Sequence, residues 1–176
     1  MRKKGQGLLS DEYLCAVGDI IVSFNYLEAG VARIFEVLLA PTIAGRIIAA
    51  KIGFRQLREF TLALYQSIYG EDEDYQTFRS LCAEMKKIEE ERNRVAHCAW
   101  TSKRYDAATA QSVDISTLQI KIARNRSLRY DFKDISVGEP EALADRIRNL
   151  SGRVSKFDLS HYDRRKYRFV RYEGQT

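Results

Sequence analysis

The sequence predicts a mainly α-helical fold, an antiparallel bundle of four main helices with a small β-hairpin inserted before the last one. Three observations predict it. Apolar residues advance in steps of three and four through the first hundred positions, as in helices buried on one face. The step falls to two between Leu118 and Phe132, the period of a strand. It returns to three and four after Pro140. A chain of 176 residues suits a single domain. Within a domain spanning 1–176, a three-helix core is expected at 10–100, the insertion at 99–135, the last helix at 139–158 and a basic, aromatic tail at 161–176.

The first stripe is Tyr13, Val17, Ile20, Phe24, Leu27, Val31, Ile34 and Leu38, a helix of roughly seven to eight turns that Ser10 or Asp11 opens as N-cap. Pro41 stops it, and Thr42 can cap the next helix. Ile43, Ile47, Ile48, Ile52, Leu57, Phe60, Leu64 and Ile68 predict one second long helix, ended near Gly70. The acidic run Glu71–Asp74 favours the start of a third, where carboxylates oppose the helix dipole. Its stripe is Phe78, Leu81, Cys82, Met85, Ile88, Arg92 and Val95. Beyond His97, Leu118-Ile120-Ile122 and Leu128-Tyr130-Phe132 alternate with polar residues around Arg124–Ser127, which predicts a hairpin. Ala99–Tyr105 is a candidate third strand, and 106–116 reads as an exposed loop. Glu139-Pro140 opens the fourth helix, with stripe Leu143, Ile147, Leu150, Val154 and Phe157.

Charge is uneven. Residues 71–91 carry eight acids against three bases, 117–133 five bases against one acid, and the tail from His161 five against two. Lys121, Arg124 and Arg126 in the hairpin, with Arg164, Arg165, Lys166 and Arg168 in the tail, are candidate nucleic-acid contacts. Cys15, Cys82 and Cys98 are odd in number and far apart, without Cys-x-x-Cys or a His pair at ligand spacing, so neither a metal site nor a disulfide framework is expected. Asp11, Glu12 and Asp19 interrupt what would be a signal peptide, and the apolar runs are short. The expectation is a cytoplasmic protein with no membrane span. No P-loop, dinucleotide fingerprint or nucleophile elbow is present, and no cofactor is expected.

Residues 92–97, Arg-Asn-Arg-Val-Ala-His, carry the candidate chemistry and one of only two histidines. Arg92 falls on its own helix's apolar stripe, where an unpaired cation is costly. Glu28, flanking the stripe of the first helix, is the expected counter-charge, with Asn25 one turn away. His97 shares a face with Asn93 and lies five residues after Arg92, rotated by roughly 140°. Arg92 and His97 are therefore expected to flank a groove. A phosphate there meets a fixed cation and an imidazole, the side-chain type most used for general acid–base work. That combination suits phosphodiester cleavage.

Three long helices with Arg92-Asn93-Arg94-Val95-Ala96-His97 ending the third resemble the HEPN domain family (higher eukaryotes and prokaryotes nucleotide-binding), whose signature is Arg, four to six residues, then His, commonly with Asn after the Arg. The likeness covers roughly residues 10–100 plus the helix from Pro140; the hairpin is a departure from a minimal bundle. It implies a homodimer in which two motif copies line one cleft. It also implies a metal-independent endoribonuclease acting through 2′-OH attack to a 2′,3′-cyclic phosphate, as a toxin or defence effector with an antitoxin or other regulatory protein as partner. His97 would move protons, Arg92 would stabilise the phosphorane, and Asn93 would orient either the imidazole or the phosphate. Many relatives are instead non-catalytic binding or dimerisation modules.

Overall fold

A computed structural model of the chain describes residues 9–39, 42–106, 111–122, 128–136 and 138–157. These form five helices and one antiparallel three-stranded sheet: α1 (Asp11–Leu38), α2 (Ile43–Lys51), α3 (Phe54–Tyr69), α4 (Glu73–His97), β1 (Ala99–Asp106), β2 (Gln111–Ile122), β3 (Leu128–Asp134) and α5 (Gly138–Ser155). The fold is mainly helical and bundle-like, with the sheet between α4 and α5 in sequence and strand order β1-β2-β3. The chain divides into two compact units, residues 1–25 with 87–149 and residues 26–86 with 150–176.

The first unit takes the beginning of α1, the end of α4, the sheet and the beginning of α5. Tyr13, Ala16, Ile20 and Phe24 of α1 are buried there, as are Ile88 and Val95 of α4 and Leu143, Ala144 and Ile147 of α5. Tyr13 packs with Ile115 and Ile135 against Leu9 and Trp100. Its hydroxyl donates to the Ile135 carbonyl at 2.9 Å. Ser136 precedes α5, and Glu139 Oε1 accepts from the Ser136 backbone N–H at 3.2 Å. This is the returning half of a capping box, so the serine opens α5 and Pro140 sits inside its first turn.

In the second unit, α1 buries Leu27, Val31, Ile34, Phe35 and Leu38, and α4 buries Tyr75, Phe78, Leu81, Cys82 and Met85. Tyr65 is fully buried, its ring 5.2 Å from Tyr69 and 6.1 Å from Phe157. Phe157 stacks obliquely on Phe78 at 5.2 Å. Gly30 admits a close approach: a Cβ there would lie 3.1 Å from Val154 Cγ1. Thr42 caps α2 through its hydroxyl, which accepts from the Gly45 N–H at 3.1 Å. Gly70 ends α3 with φ 82, a backbone conformation that a side chain disfavours.

Three expectations are corrected. The second long helix is two, because Ile52 is extended (φ −89, ψ 144) and Gly53 opens α3. Glycine is among the weakest helix formers, and the apolar stepping continues across it by coincidence of phase. The stripe failed in part there: Ile43, Ile47, Ile48 and Phe60 are exposed, Leu57 is buried as expected, and α3 also buries Phe54, Arg58, Thr61 and Tyr65. The loop expected over 106–116 contains the first half of β2, with Ser102 opposite Ile115 and Thr101 opposite Ser116. Apolar residues hold odd positions up to Ile115 and even ones from Leu118, and that change of phase hid one long strand. The hairpin register pairs Leu118 with Phe132 and Ile120 with Tyr130, and Ala99–Asp106 is the third strand.

α1 also differs from expectation in composition. It contains an 18-residue window of mean hydropathy 1.4, long and apolar enough to cross a bilayer by length and composition alone. Core helices meet the same measure. The cause is apolar residues outside the buried stripe: Leu14 and Ile21 flank it, Val22 and Tyr26 lie opposite it, and all four are exposed. Pro41, Arg124, Arg126 and the tail from His161, with Arg164, Arg165, Lys166 and Arg168, lie outside the described residues.

Candidate active site

α4 ends at His97 with its last carbonyls in need of donors, as every helix C-terminus does. Trp100, the chain's one tryptophan, donates from Nε1 to the Val95 carbonyl at 3.1 Å, and the Cys98 thiol reaches the Asn93 carbonyl at 3.9 Å. Arg94 Nη2 holds Asp131 of β3 at 2.6 Å. Indole, thiol and ion pair thus tie the helix end to the residues that follow it. None of the three has a periodic signature in the sequence, and none was anticipated from it.

On that fixed end the motif side chains converge. Arg92 Nη1 donates to Asn93 Oδ1 at 2.9 Å and stands 3.1 Å from His97 Nε2. A guanidinium has donors only, so Nε2 is the nitrogen able to accept in this contact. The expectation that Arg92 and His97 would flank a groove is corrected: the arginine is long enough to reach round the helix and touch the ring. Arg92 and Asn93 are half-buried, while His97 is exposed.

The contacts of Arg92 described here are those within its own unit. The guanidinium carbon sits 4.6 Å from the centroid of the Phe24 ring, a cation–π contact. Phe24 belongs to the apolar stripe of α1, as Arg92 belongs to that of α4, and the stripe positions meet. Glu28, expected as counter-charge, belongs to the second unit and is half-buried there, and Asn25 is exposed. Arg92 Nε is buried with no hydrogen-bond partner. Within its own unit the arginine is met by a ring face, an amide oxygen and an imidazole nitrogen. Phe24 was legible as core but not as the platform beneath the cation.

A cavity of about 670 Å³ opens beside the motif, lined by Lys87, Glu90, Glu91, Asn93, Arg94 and Val95 of α4 with residues of β3 and α5. Two of its acids are occupied. Glu91 takes both nitrogens of Arg146 at 2.8 Å, and Glu139 accepts from Lys133 Nζ at 3.0 Å. The Lys133 hydrogen bond, followed by the contacts to Ser136, holds the Glu139 carboxyl below its ordinary value against the opposing effect of burial. Among the described residues no group of three or more His, Cys, Asp or Glu is placed to hold a metal ion.

Of the basic candidates, Lys121 lies on β2 directly opposite Arg129 of β3 in the ladder. No family model, curated protein or solved structure matches the chain.

Proposed function

We propose that this chain is a HEPN-type, metal-independent endoribonuclease acting in the cytoplasm as a toxin or defence effector. The observation that carries the reading is the single guanidinium nitrogen that reaches both Asn93 Oδ1 and His97 Nε2 at an exposed helix end. In the proposed step the ribose 2′-OH gives its proton to His97 Nε2 while its oxygen bonds to the adjacent phosphorus. The P–O5′ bond breaks and O5′ takes up a proton, leaving a 2′,3′-cyclic phosphate and a 5′-hydroxyl. Substrate phosphate frees the base for this role. A charge-assisted bond from Arg92 to phosphate is stronger than one to a neutral imidazole, so the guanidinium moves its bond to the phosphate and the Nε2 lone pair opens. The same cation then meets the charge that grows on the phosphorane.

Two protons move, so the second imidazole is assigned to a second copy of the chain. The exposed Leu14, Ile21 and Val22 of α1 support such a homodimer, because an apolar helix face of that kind is rarely left to water. RNA cleavage in EDTA should therefore occur, yield cyclic-phosphate ends, and vanish in folded His97→Ala and Arg92→Ala. Undiminished cleavage by folded His97→Ala sinks the reading.

One observation favours a second reading, a non-catalytic RNA-binding or dimerisation module. In the arrangement described, the His97 Nε2 lone pair that would act as base is engaged by Arg92. RNA binding that falls steeply with salt, with no cleavage by wild type, selects this reading.

A further inference from the structure

The geometry points to the cavity between α4, β3 and α5 as a subsite for a guanine base. Some of its polar groups are committed to one another and others are free. Glu91, Lys133 and Glu139 are occupied by one another or by Arg146. Asn93 has spent its oxygen on Arg92 and keeps only its amide N–H donors. Arg94 has spent Nη2 on Asp131, while Nη1 is buried in the cavity's surroundings without a partner. Among the described residues Lys87 and Glu90 make neither a hydrogen bond nor an ion pair. The free set is one carboxylate acceptor with several donors, above the apolar Val95 and Leu143.

Bases differ in how they answer such a set. Guanine alone offers two adjacent N–H donors, N1 and N2, to one carboxylate, and on its opposite edge two acceptors, O6 and N7, to cationic donors. Adenine is read by an amide that both donates and accepts, and the Asn93 oxygen is already taken. Uracil and cytosine lack the paired donors. Glu90 is thus matched to the N1/N2 edge, and Lys87 to O6 and N7. A base oxygen that draws the Arg94 guanidinium into the cavity gives its unpaired nitrogen an acceptor. The volume is within the range of small-ligand sites, so a nucleotide fits without remodelling the fold. Asn93 joins the two regions, since it lines the cavity and bonds Arg92. The subsite would hold a base next to the scissile phosphate, and in that respect the inference rests on the ribonuclease reading.

Two measurements separate the two ideas. In the first, the full chain is titrated with each of the four nucleoside 5′-monophosphates and backbone amide shifts are followed. The guanine nucleotide should shift Glu90, Arg94 and Leu143 at concentrations at least tenfold below the others, and Glu90→Gln should remove that advantage. In the second, RNA substrates differing only in the base beside one cleavable phosphate are compared. Guanine sites should be cut at least tenfold faster, with Glu90→Gln reducing the ratio to near one. Glu90 is exposed on a helix, so the variant should fold, and Lys87→Ala provides an independent loss of the same preference. Equal shifts from all four nucleotides, or cleavage without base preference, overturn the subsite and leave the ribonuclease standing. Guanine-selective shifts without any cleavage support the subsite and sink the ribonuclease.

Discussion

At the start of α4 the Asp72 carboxylate accepts from the Tyr75 N–H at 2.7 Å and from the Tyr65 hydroxyl at 3.3 Å, and Tyr75, Phe78 and Leu81 follow as buried core. At the end of the same helix, Arg92 Nε and Arg94 Nη1 are the two buried side-chain polar atoms without a partner among the described residues. One end satisfies its polar groups and buries rings. The other holds two cations part-buried and leaves a donor of each unmet, which is costly unless something arrives to accept from it. Stability and function are therefore expected to separate along a single helix.

The largest effect expected from this comparison is at the satisfied end. Phe78 is fully buried and packs on Phe157, so Phe78→Ala should cost about 3–5 kcal/mol of unfolding free energy. Denaturant unfolding measures this. A cost under about 1 kcal/mol, the size of a surface change, would mean that the aromatic cluster is not the anchor of its unit.

At the other end Arg92→Met tests the opposite outcome. The thioether fills similar space over Phe24 and removes the buried donor that has no partner, so stability should hold or rise slightly. Cleavage by the proposed chemistry should fall by about two to three orders of magnitude, the usual scale for losing one transition-state donor. A variant that loses stability and keeps activity would invert the comparison.

The sequence showed the satisfied end more fully than the unsatisfied one. Phe78, Leu81, Cys82, Met85, Ile88 and Val95 are legible because burial repeats with the helix, and Arg92 is legible as an exception to that repeat. The contact of Arg92 with Phe24 is not periodic: it depends on how two helices of one unit are placed, which no stripe encodes. Trp100, Cys98 and Asp131 are invisible for a similar reason, since each acts through one hydrogen bond to a helix end. The break at Gly53 and the early part of β2 were lost where a phase persisted or slipped, which periodicity alone cannot detect.

Asp72→Ala isolates the cap from the core behind it. The carboxylate satisfies one of the free N–H groups in the first turn of α4, and its loss should cost about 1 kcal/mol, read as a shift in the denaturation midpoint. Asp72→Asn keeps an acceptor and should recover most of it. If asparagine recovers nothing, the contribution comes from the Tyr65 hydroxyl contact and not from the cap.

The smallest effect expected is at Glu139, on the unsatisfied side of the comparison but itself fully occupied. Lys133 and Ser136 favour its charged form and hold its carboxyl below the ordinary value. A carboxylate whose folded value is depressed adds stability that is present above the unfolded value and is lost as pH falls through the folded one. Glu139→Gln should thus be slightly less stable than wild type at neutral pH, and the two unfolding curves should converge as acid protonates the wild-type carboxyl. A difference that stays constant down to acid pH assigns the effect to the shape of the capping box at Ser136. A difference that fades in acid assigns it to charge, so a group with all its partners met would still depend on pH.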